Sequence, residues 1–563
     1  MNNELRVSDY IVFLVYFIIV ASYGYWVYRK KKQASVSASH DYFLAEGSLT
    51  WWAIGASLIA SNISAEQFIG MSGSGFKIGL AISTYEWMAA ATLIIVAVFF
   101  MPVYLKNKIY TMPQFLNQRY NGTVAMIMAV FWLLLYVVVN LTSILFLGAL
   151  AVSTISGINF WVCMSMLALF ALIIALGGMK VIGYTDVIQV FFLILGGLAT
   201  TYLALSLVAD HFKLDGVMSA LGTLKTKADD HFHMILKKDN PNYLDLPGLT
   251  VLLGGMWIVN LNYWGCNQYI TQRALGADLK TARSGLLFAG FLKLLMPIIV
   301  VIPGIAAYIL HKEGVVGGVD FQAQMIEHGE INPDRAYPVL LNLLPAGLKG
   351  LAFAALTAAI VASLAGKINS ISTIFTLDIY KKRLNVNASE TQQVNVGRIT
   401  IVVAMILAII ISPFLGIDKK GGFQFIQEYT GFVSPGIFAM FLLGFFWKKT
   451  TSSAALFATI GGFIFSVALK FLPGVMDLQF LSSVGFSVPN ASGVYEIPFL
   501  DRMGIVFALC IIGMLVISKI EIARGVQPNG LEVDTKMFKV NSGFMVGALI
   551  ICGILAALYT LFY

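Results

Sequence analysis

The chain has 563 residues, of which 58% are hydrophobic and 12% charged, with a mean hydropathy of +0.81. Globular domains carry about 25% charged residues, so a soluble fold is excluded, and an aromatic content of 13% excludes disorder. The net charge of +8 comes with no basic block interleaved with aromatics, the pattern nucleic acid would require, which leaves a polytopic membrane protein.

A helix crosses the hydrocarbon core with about 20 apolar residues. In chain order, fourteen such runs lie near 9–28, 51–75, 80–104, 123–153, 159–177, 182–208, 248–268, 284–310, 338–377, 396–416, 423–446, 452–472, 500–518 and 542–562. Backbone facing lipid must satisfy its own amides, so the expected class is an all-α polytopic membrane protein. The ninth run is long enough to hold a short helical approach before the span proper.

Basic residues sort the loops. Arg29, Lys30, Lys31 and Lys32 follow the first run, Lys106, Lys108 and Arg119 the third, and Arg273, Lys280 and Arg283 the seventh. Lys381, Lys382 and Arg383 follow the ninth, Lys448 and Lys449 the eleventh, and Lys519 and Arg524 the thirteenth. The positive-inside rule makes these alternate loops cytoplasmic, with both termini outside and the long 209–247 loop external; Lys419 and Lys420 are exceptions. The expected location is the inner (plasma) membrane.

The first run is too long for a cleavable signal peptide, ends in a basic cluster and precedes no small-residue cleavage site. Cys163, Cys266, Cys510 and Cys552 fall inside spans, so no disulfide framework is expected. The histidines are assigned to loops, and only His231 and His233 lie close together, without a carboxylate or thiolate pattern. There is no Walker motif, nucleophile elbow, HExxH or nucleotide-binding glycine pattern. No enzyme and no catalytic residue is expected, and the work of the chain falls between its helices.

Polar residues at bilayer depth are costly and mark pathways. In the second span Ser61, Asn62, Ser64, Glu66 and Gln67 interrupt an apolar helix; in the seventh, Asn260 to Asn267 do the same, with Tyr263 and Trp264 among them. Paired interruptions five spans apart fit an inverted-repeat transporter with broken helices. The alternative is that small and polar residues only let helices pack closely. Glu86, Asn140, Asp186, Lys293, Gln427 and Glu428 are further isolated polar residues within spans. Glu86 and Lys293 are either a structural ion pair or, with the amides, donors and acceptors for a polyhydroxylated ligand. Tyr85, Tyr263, Trp264 and Phe423 would then supply apolar walls.

These residues carry a resemblance. DYFLAEGSLTWWAIGASLIASNISAEQFIGMSGSG, YEWM, YTDVIQVFF, NPNYLDLPG, NYWGCNQYITQR, FLKLLMPIIVVIPGIAAY and FQFIQEYTGFVSPG with FWKKTTS resemble the solute:sodium symporter family over nearly the whole chain. The likeness is greatest to its bacterial sodium/galactose branch, related to the sodium/glucose cotransporters. The resemblance implies a LeuT-like core of two inverted five-helix repeats, 51–208 and 248–446. Residues 1–50 would precede it as a peripheral helix and cytoplasmic loop, 209–247 would be an external loop, and 447–563 would add three peripheral helices.

Carried over residue by residue, the resemblance gives the sugar Gln67, Glu86, Asn260, Lys293 and Gln427, with Tyr136 and Asn140 lining the site. Tyr263 would be an inner gate held by Asn62, with Trp264 beside it, and Met71, Tyr85 and Phe423 an outer gate. Sodium would be held by the carbonyls of Ala60, Ile63 and Ala359 and by the 362–363 pair, with Asp186 on its exit path.

Two departures stand out. A sugar-contacting serine of the family is Ala89 here, and the hydroxyl pair reads Ala362-Ser363, one hydroxyl short. One helical turn on, Lys367 replaces an apolar residue, where it either weakens or replaces the cation, pairs with Asp186, or snorkels to the interface. The expected function is sodium-coupled uptake of a neutral hexose, with sodium, the sugar and the bilayer as partners. Another polyol such as myo-inositol, a sugar acid, a non-transporting sensor and a channel are the alternatives. The mid-depth clustering of polar groups opposes a channel, and the absence of a fused output domain opposes a sensor.

Overall fold

Apolar runs of this length satisfy their backbone groups by coiling, and the computed structural model is almost entirely helical. It describes residues 5–31, 49–327, 329–345, 347–414 and 422–563. In chain order the principal helices are α1 (Val7–Trp26), α2 (Trp51–Asn62), α3 (66–78), α4 (Leu80–Lys106), α5 (Gly122–Ser156) and α6 (Phe160–Ala175). Then come α7 (Val181–Phe212), α8 (Gly255–Gly265), α9 (Gln268–Leu275), α10 (Leu279–Glu313), α11 (Leu348–Leu384) and α12 (Glu390–Phe414). The chain closes with α13 (Phe423–Gly431), α14 (Ser434–Phe446), α15 (Ser452–Gly474), α16 (Phe499–Ala523) and α17 (Ser542–Leu561).

Among the described residues, 10 helices are long and apolar enough to cross a membrane: α1, α4, α5, α7, α10, α11, α12, α15, α16 and α17. An eleventh span is the pair α13–α14, bent by 53°. The remaining expected runs are the shorter α6 and two interrupted helices, α2–α3 and α8–α9. The ninth run divides as expected, into a short helix Ala336–Asn342 and then α11.

Other expectations need adjustment. The 209–247 segment starts inside α7 and carries its own helix, Val217–Lys227. His211 and His311 belong to the ends of α7 and α10 rather than to loops. Lys32, His40, His328, Lys419 and Lys420 lie outside the described residues, as does most of the DYFLAEGS stretch.

Enclosure sorts the helices. The apolar window of α11 is 94% buried, against 22% for α1 and for α17, so α11 is a core helix and the other two are peripheral. α1 is nevertheless pinned: the Asp9 carboxylate accepts the backbone N–H groups of Gly347 and Gly350 at 2.8 and 2.9 Å, capping the start of α11.

α10 lies along both halves of the first interrupted helix and acts as a splint across the gap. A Cβ at Gly55 in α2 would meet the Gly285 carbonyl oxygen at 2.8 Å, and one at Gly75 in α3 the Val301 carbonyl at the same distance. At Gly304 a Cβ would fall inside the Ser72 carbonyl oxygen. Small residues let these backbones touch, as close helix pairs in membranes require. Lys293 sits between the two contact zones and so faces the break.

Candidate binding site at the helix breaks

The first break is built by side chains that capture backbone donors. The Gln67 side-chain oxygen accepts the Ser64 N–H at 3.0 Å and the Ser64 hydroxyl at 3.3 Å. The Glu66 N–H donates to the Ser64 hydroxyl oxygen at 3.1 Å, and the Gln67 N–H to the Ser64 carbonyl at 3.2 Å. In an unbroken helix those three N–H groups would reach the carbonyls of Ala60, Asn62 and Ile63. With the donors spent and Ile63 extended (φ −83°, ψ 118°), these oxygens lose their ladder partners. The neighbouring Ser61 carbonyl accepts the Ser363 hydroxyl from α11 at 3.2 Å. Exposed carbonyls at an unwound helix are the oxygen donors that a hard monovalent cation takes.

The second break differs from expectation in its place. α8 runs unbroken through Asn260 and Tyr263 to Gly265, and the chain turns at Cys266 and Asn267. Asn260 stays helical because its side-chain amide donates to the Met256 carbonyl one turn back, at 3.2 Å. Asn267 then starts α9, its carbonyl accepting from Ile270 and Thr271 at 3.2 and 3.0 Å while its side-chain oxygen takes the Tyr136 hydroxyl.

Between the breaks lies a buried polar cluster. The Lys293 ammonium donates to Glu86 and to the Asn62 side-chain oxygen. Asn62 donates its amide to the Tyr263 hydroxyl at 2.9 Å, and Tyr263 shares a hydrogen bond with the Tyr269 hydroxyl. Glu86 and Lys293 are only 3% and 1% exposed, which demands the pairing they make. Trp264 walls the cluster, with the Lys293 nitrogen 5.1 Å from its ring centre and the Tyr263 ring 5.2 Å away. Tyr136 packs edge-on against Tyr269 at 5.9 Å.

Next to Glu86, the Tyr85 ring meets the Phe423 ring edge-on at 4.9 Å; Met71 is buried. Gly70 lets Phe423 come close, since a Cβ there would reach the Phe423 nitrogen at 2.7 Å. Close to Phe423, at Gln424, opens a polar basin of about 950 Å³, also lined by Gly73, Ser74 and Arg502. Glu428 on its wall is held by Lys470 and Arg502, so its charge is spent structurally.

The structure thus gathers Asn62, Glu86, Lys293, Tyr263 and Trp264, with Tyr136 beside them. Gln67 is engaged in forming the break. Asn140 is buried on α5 and Gln427 half-buried on α13; among the described residues no hydrogen bond joins either side chain to the cluster. Ala89 is buried on α4 and brings no hydroxyl.

The ion-side residues Ala60, Ile63, Ala359, Ala362 and Ser363 are all buried where α2 packs on α11. Of the alternatives for Lys367, the pair with Asp186 does not form. The Ser57 hydroxyl donates to Asp186 at 2.6 Å, and the Arg273 guanidinium lies 3.8 Å from the same carboxylate oxygen. Arg273 reaches it from α9 and also donates to the Ser57 hydroxyl oxygen at 2.9 Å. Lys367 does not snorkel either: it is 2% exposed, its ammonium 4.7 Å from the Tyr269 ring centre. Arg273, Tyr269 and Ser57 thus lie beside the break without having been expected there, and Glu66, marked in the sequence only as part of the first interruption, lies there too. Arg273 had counted only as a loop charge, although it follows Tyr269 by one helical turn within NYWGCNQYITQR.

Three comparisons bear on this arrangement. The "Sodium:solute symporter family" model matches residues 42–462. The chain is 47% identical to the sodium/glucose cotransporter of Vibrio parahaemolyticus, over 100% of this chain and 99% of that protein. It is 32% identical to human sodium/myo-inositol cotransporter 2, over 82% of this chain and 70% of that protein. Among solved structures, the substrate-bound outward-open state of a Na+-coupled sialic acid symporter superposes with a TM-score of 0.73. That match covers 92% of this chain and 98% of the other at 21% identity, and it speaks for the fold alone.

Proposed function

The chain belongs to the sodium:solute symporter family and is a sodium-coupled solute symporter, and on that premise we propose that its solute is a neutral hexose of the glucose or galactose type. The observation that carries this reading is the Glu86–Lys293 pair. The two charges neutralise each other inside an aromatic-walled enclosure, leaving donors and acceptors but no net charge for the ligand. A sugar hydroxyl both donates and accepts, so it can exchange into the contacts that Lys293 now makes with Glu86 and Asn62. A sugar acid would need an unpaired cation there. The 47% identity to a sodium/glucose cotransporter supports the same substrate class.

In this reading Gln67, Glu86, Asn260, Lys293 and Gln427 contact the sugar, Tyr136, Asn140 and Trp264 line it, and Tyr263 is the inner gate, held by Asn62. Met71, Tyr85 and Phe423 are the outer gate. Gln427 and Asn140 come into contact only once sugar fills the space. Sodium sits on the carbonyls of Ala60, Ile63 and Ala359 and the Ser363 hydroxyl, beside Ala362, and leaves past Asp186. Because Asn62 and Ile63 are adjacent, sodium at the break stiffens the residue that orients Lys293 and Tyr263. The two affinities are therefore linked reciprocally.

The architecture is read as two inverted five-helix repeats, 51–208 and 248–446, flanked by one helix before and three after, with fourteen crossings in all. With the basic loops read as cytoplasmic, both termini lie outside the cytoplasm and the protein belongs to the inner membrane. A second reading, myo-inositol or a related polyol, is favoured by the 32% identity to a human sodium/myo-inositol cotransporter.

A binding screen of hexoses and polyols on the purified protein, with and without sodium, separates the two. The expected result is sodium-dependent, saturable binding of one neutral hexose. Preference for a polyol replaces the first reading with the second. Vesicle uptake that is equal under sodium, potassium and proton gradients overturns the coupling assignment.

A further inference from the structure

We propose that the Lys367 ammonium is a tethered rival of sodium, competing for the carbonyl oxygens released at the α2–α3 break and thereby setting the affinity of that site. The inference rests on the sodium-site reading above. Lys367 follows Ser363 by four residues in α11, one turn of roughly 6 Å on the same face. Ser363 touches the break directly, through the Ser61 carbonyl. A four-carbon stem rooted one turn away brings an ammonium within reach of the same oxygens.

Lys367 has reason to go there. It is 2% exposed, and where it now lies its ammonium faces the π-surface of Tyr269. An aromatic face attracts the charge but accepts none of the three N–H bonds that an ammonium offers. The acceptors it lacks are present across the interface. The carbonyls of Ala60, Asn62 and Ile63 have lost their ladder donors, and Glu66 Oε1 is buried without a hydrogen-bond partner. Lys367 and Glu66 are already each other's electrostatic partner.

Three charged groups surround Lys367 and the break. From α9, Arg273 donates its Nε to the Ser57 hydroxyl oxygen and its Nη1 to the Tyr269 carbonyl, while its Nη2, 3.8 Å from Asp186, is buried without a hydrogen-bond partner and would lie 2.6 Å from a Cβ at Gly366. From α7, Asp186 takes the Ser57 hydroxyl and faces Arg273 through one oxygen, and its other oxygen is buried without a hydrogen-bond partner. From α3, only Glu66 faces Lys367 with negative charge.

The ammonium thus has two places, the Tyr269 face and the carbonyl ring. Arriving sodium pushes it to the first; departing sodium lets it take the second, so the buried oxygens keep a cation in both states. Its retreat lands on Tyr269, whose hydroxyl is bonded to Tyr263, which ties ion arrival to the gate. Ala362 fits this scheme, because a site with Ser363 as its one side-chain hydroxyl holds sodium loosely enough for a tethered competitor to matter.

The test compares wild type with Lys367→Met, Lys367→Arg and Ser363→Ala. Two quantities are read: the sodium concentration that half-saturates thermal stabilisation of the purified protein, and the one that half-saturates hexose uptake. Lys367→Met is expected to lower both about tenfold, Lys367→Arg to stay near wild type, and Ser363→Ala to raise both. Unchanged values in Lys367→Met overturn the proposal whatever Ser363→Ala does. Values lowered in Lys367→Met but unchanged in Ser363→Ala overturn the sodium-site reading instead. Should Lys367→Met fail to reach the membrane, Lys367→Gln carries the same expectation and the same refutation.

Discussion

The two helix breaks occupy matching places in the chain, yet they present different chemistry. At the first, side chains of Ser64 and Gln67 consume backbone donors, so what is left exposed is backbone carbonyl. At the second, the ladder loses little, with Cys266 still donating to Asn262 at 3.0 Å, and what is presented is side chain: Tyr263, Trp264, Asn267 and Tyr269. Fixed carbonyl dipoles suit a bare cation, which needs oxygen at any cost in directionality. Rotatable hydroxyls, amides and ring faces suit a ligand with direction and apolar faces. On the proposed reading, one kind of interruption, supplied with different neighbours, serves as an ion site at the first break and as a gate at the second.

Substitutions can break or sharpen that division. The largest effect is expected from Gly304→Val, which places methyl groups inside the Ser72 carbonyl and unseats α3 from its splint. Size-exclusion of the detergent-extracted variant should show little monodisperse protein; a normal yield would mean that α10 does not hold the first break together.

Next comes Glu86→Ala, which strands the Lys293 ammonium in a buried site at a cost of about 3–5 kcal/mol. Hexose binding, measured by equilibrium binding of labelled sugar, should fall by at least ~100-fold. Stabilisation by sodium should survive, because its oxygens, three backbone carbonyls and the Ser363 hydroxyl, do not include Glu86; loss of both would erase the division between the breaks.

Gln67→Ala frees the Ser64 N–H to rejoin the ladder and should weaken sodium about tenfold in the thermal-stability titration, equivalent to ~1.4 kcal/mol. An effect on sugar affinity alone would show that Gln67 serves the ligand rather than the break. The smallest change is Tyr263→Phe, which keeps the ring and deletes one hydroxyl at roughly 1 kcal/mol. It should raise the sugar KM about fivefold and move the sodium titration by less than that.

Much of this was legible in the residues. Polar runs inside apolar spans marked both interruptions, and isolated Glu86 and Lys293 could hardly both be buried without meeting. The resemblance supplied the Asn62–Tyr263 contact, which the structure makes. The exact turn of the second break was not legible, because an asparagine such as Asn260 can satisfy its own helix by bonding back to Met256.

Nor could charge type separate a loop arginine from an interior one. Arg119, counted as a cytoplasmic marker, is fully buried and donates to the carbonyls of Gly444, Trp447, Thr450 and Asn529. Arg273 was misplaced for the same reason. Lys367 was recognised as unusual, but its surroundings depend on α9 and α3 together, which no spacing within α11 encodes.

Asn62 uses its side-chain amide in one sense only: the oxygen receives from Lys293 and the nitrogen gives to Tyr263. Such a group is an adaptor with a polarity, since hydrogen bonds in series strengthen one another through the amide they share. A perturbation at the Glu86 end must therefore arrive at the tyrosine end with a definite sign: weaker receipt means weaker donation. Reversing the amide would turn its NH2 toward the Lys293 ammonium, donor against donor, so the lysine fixes which way the adaptor points.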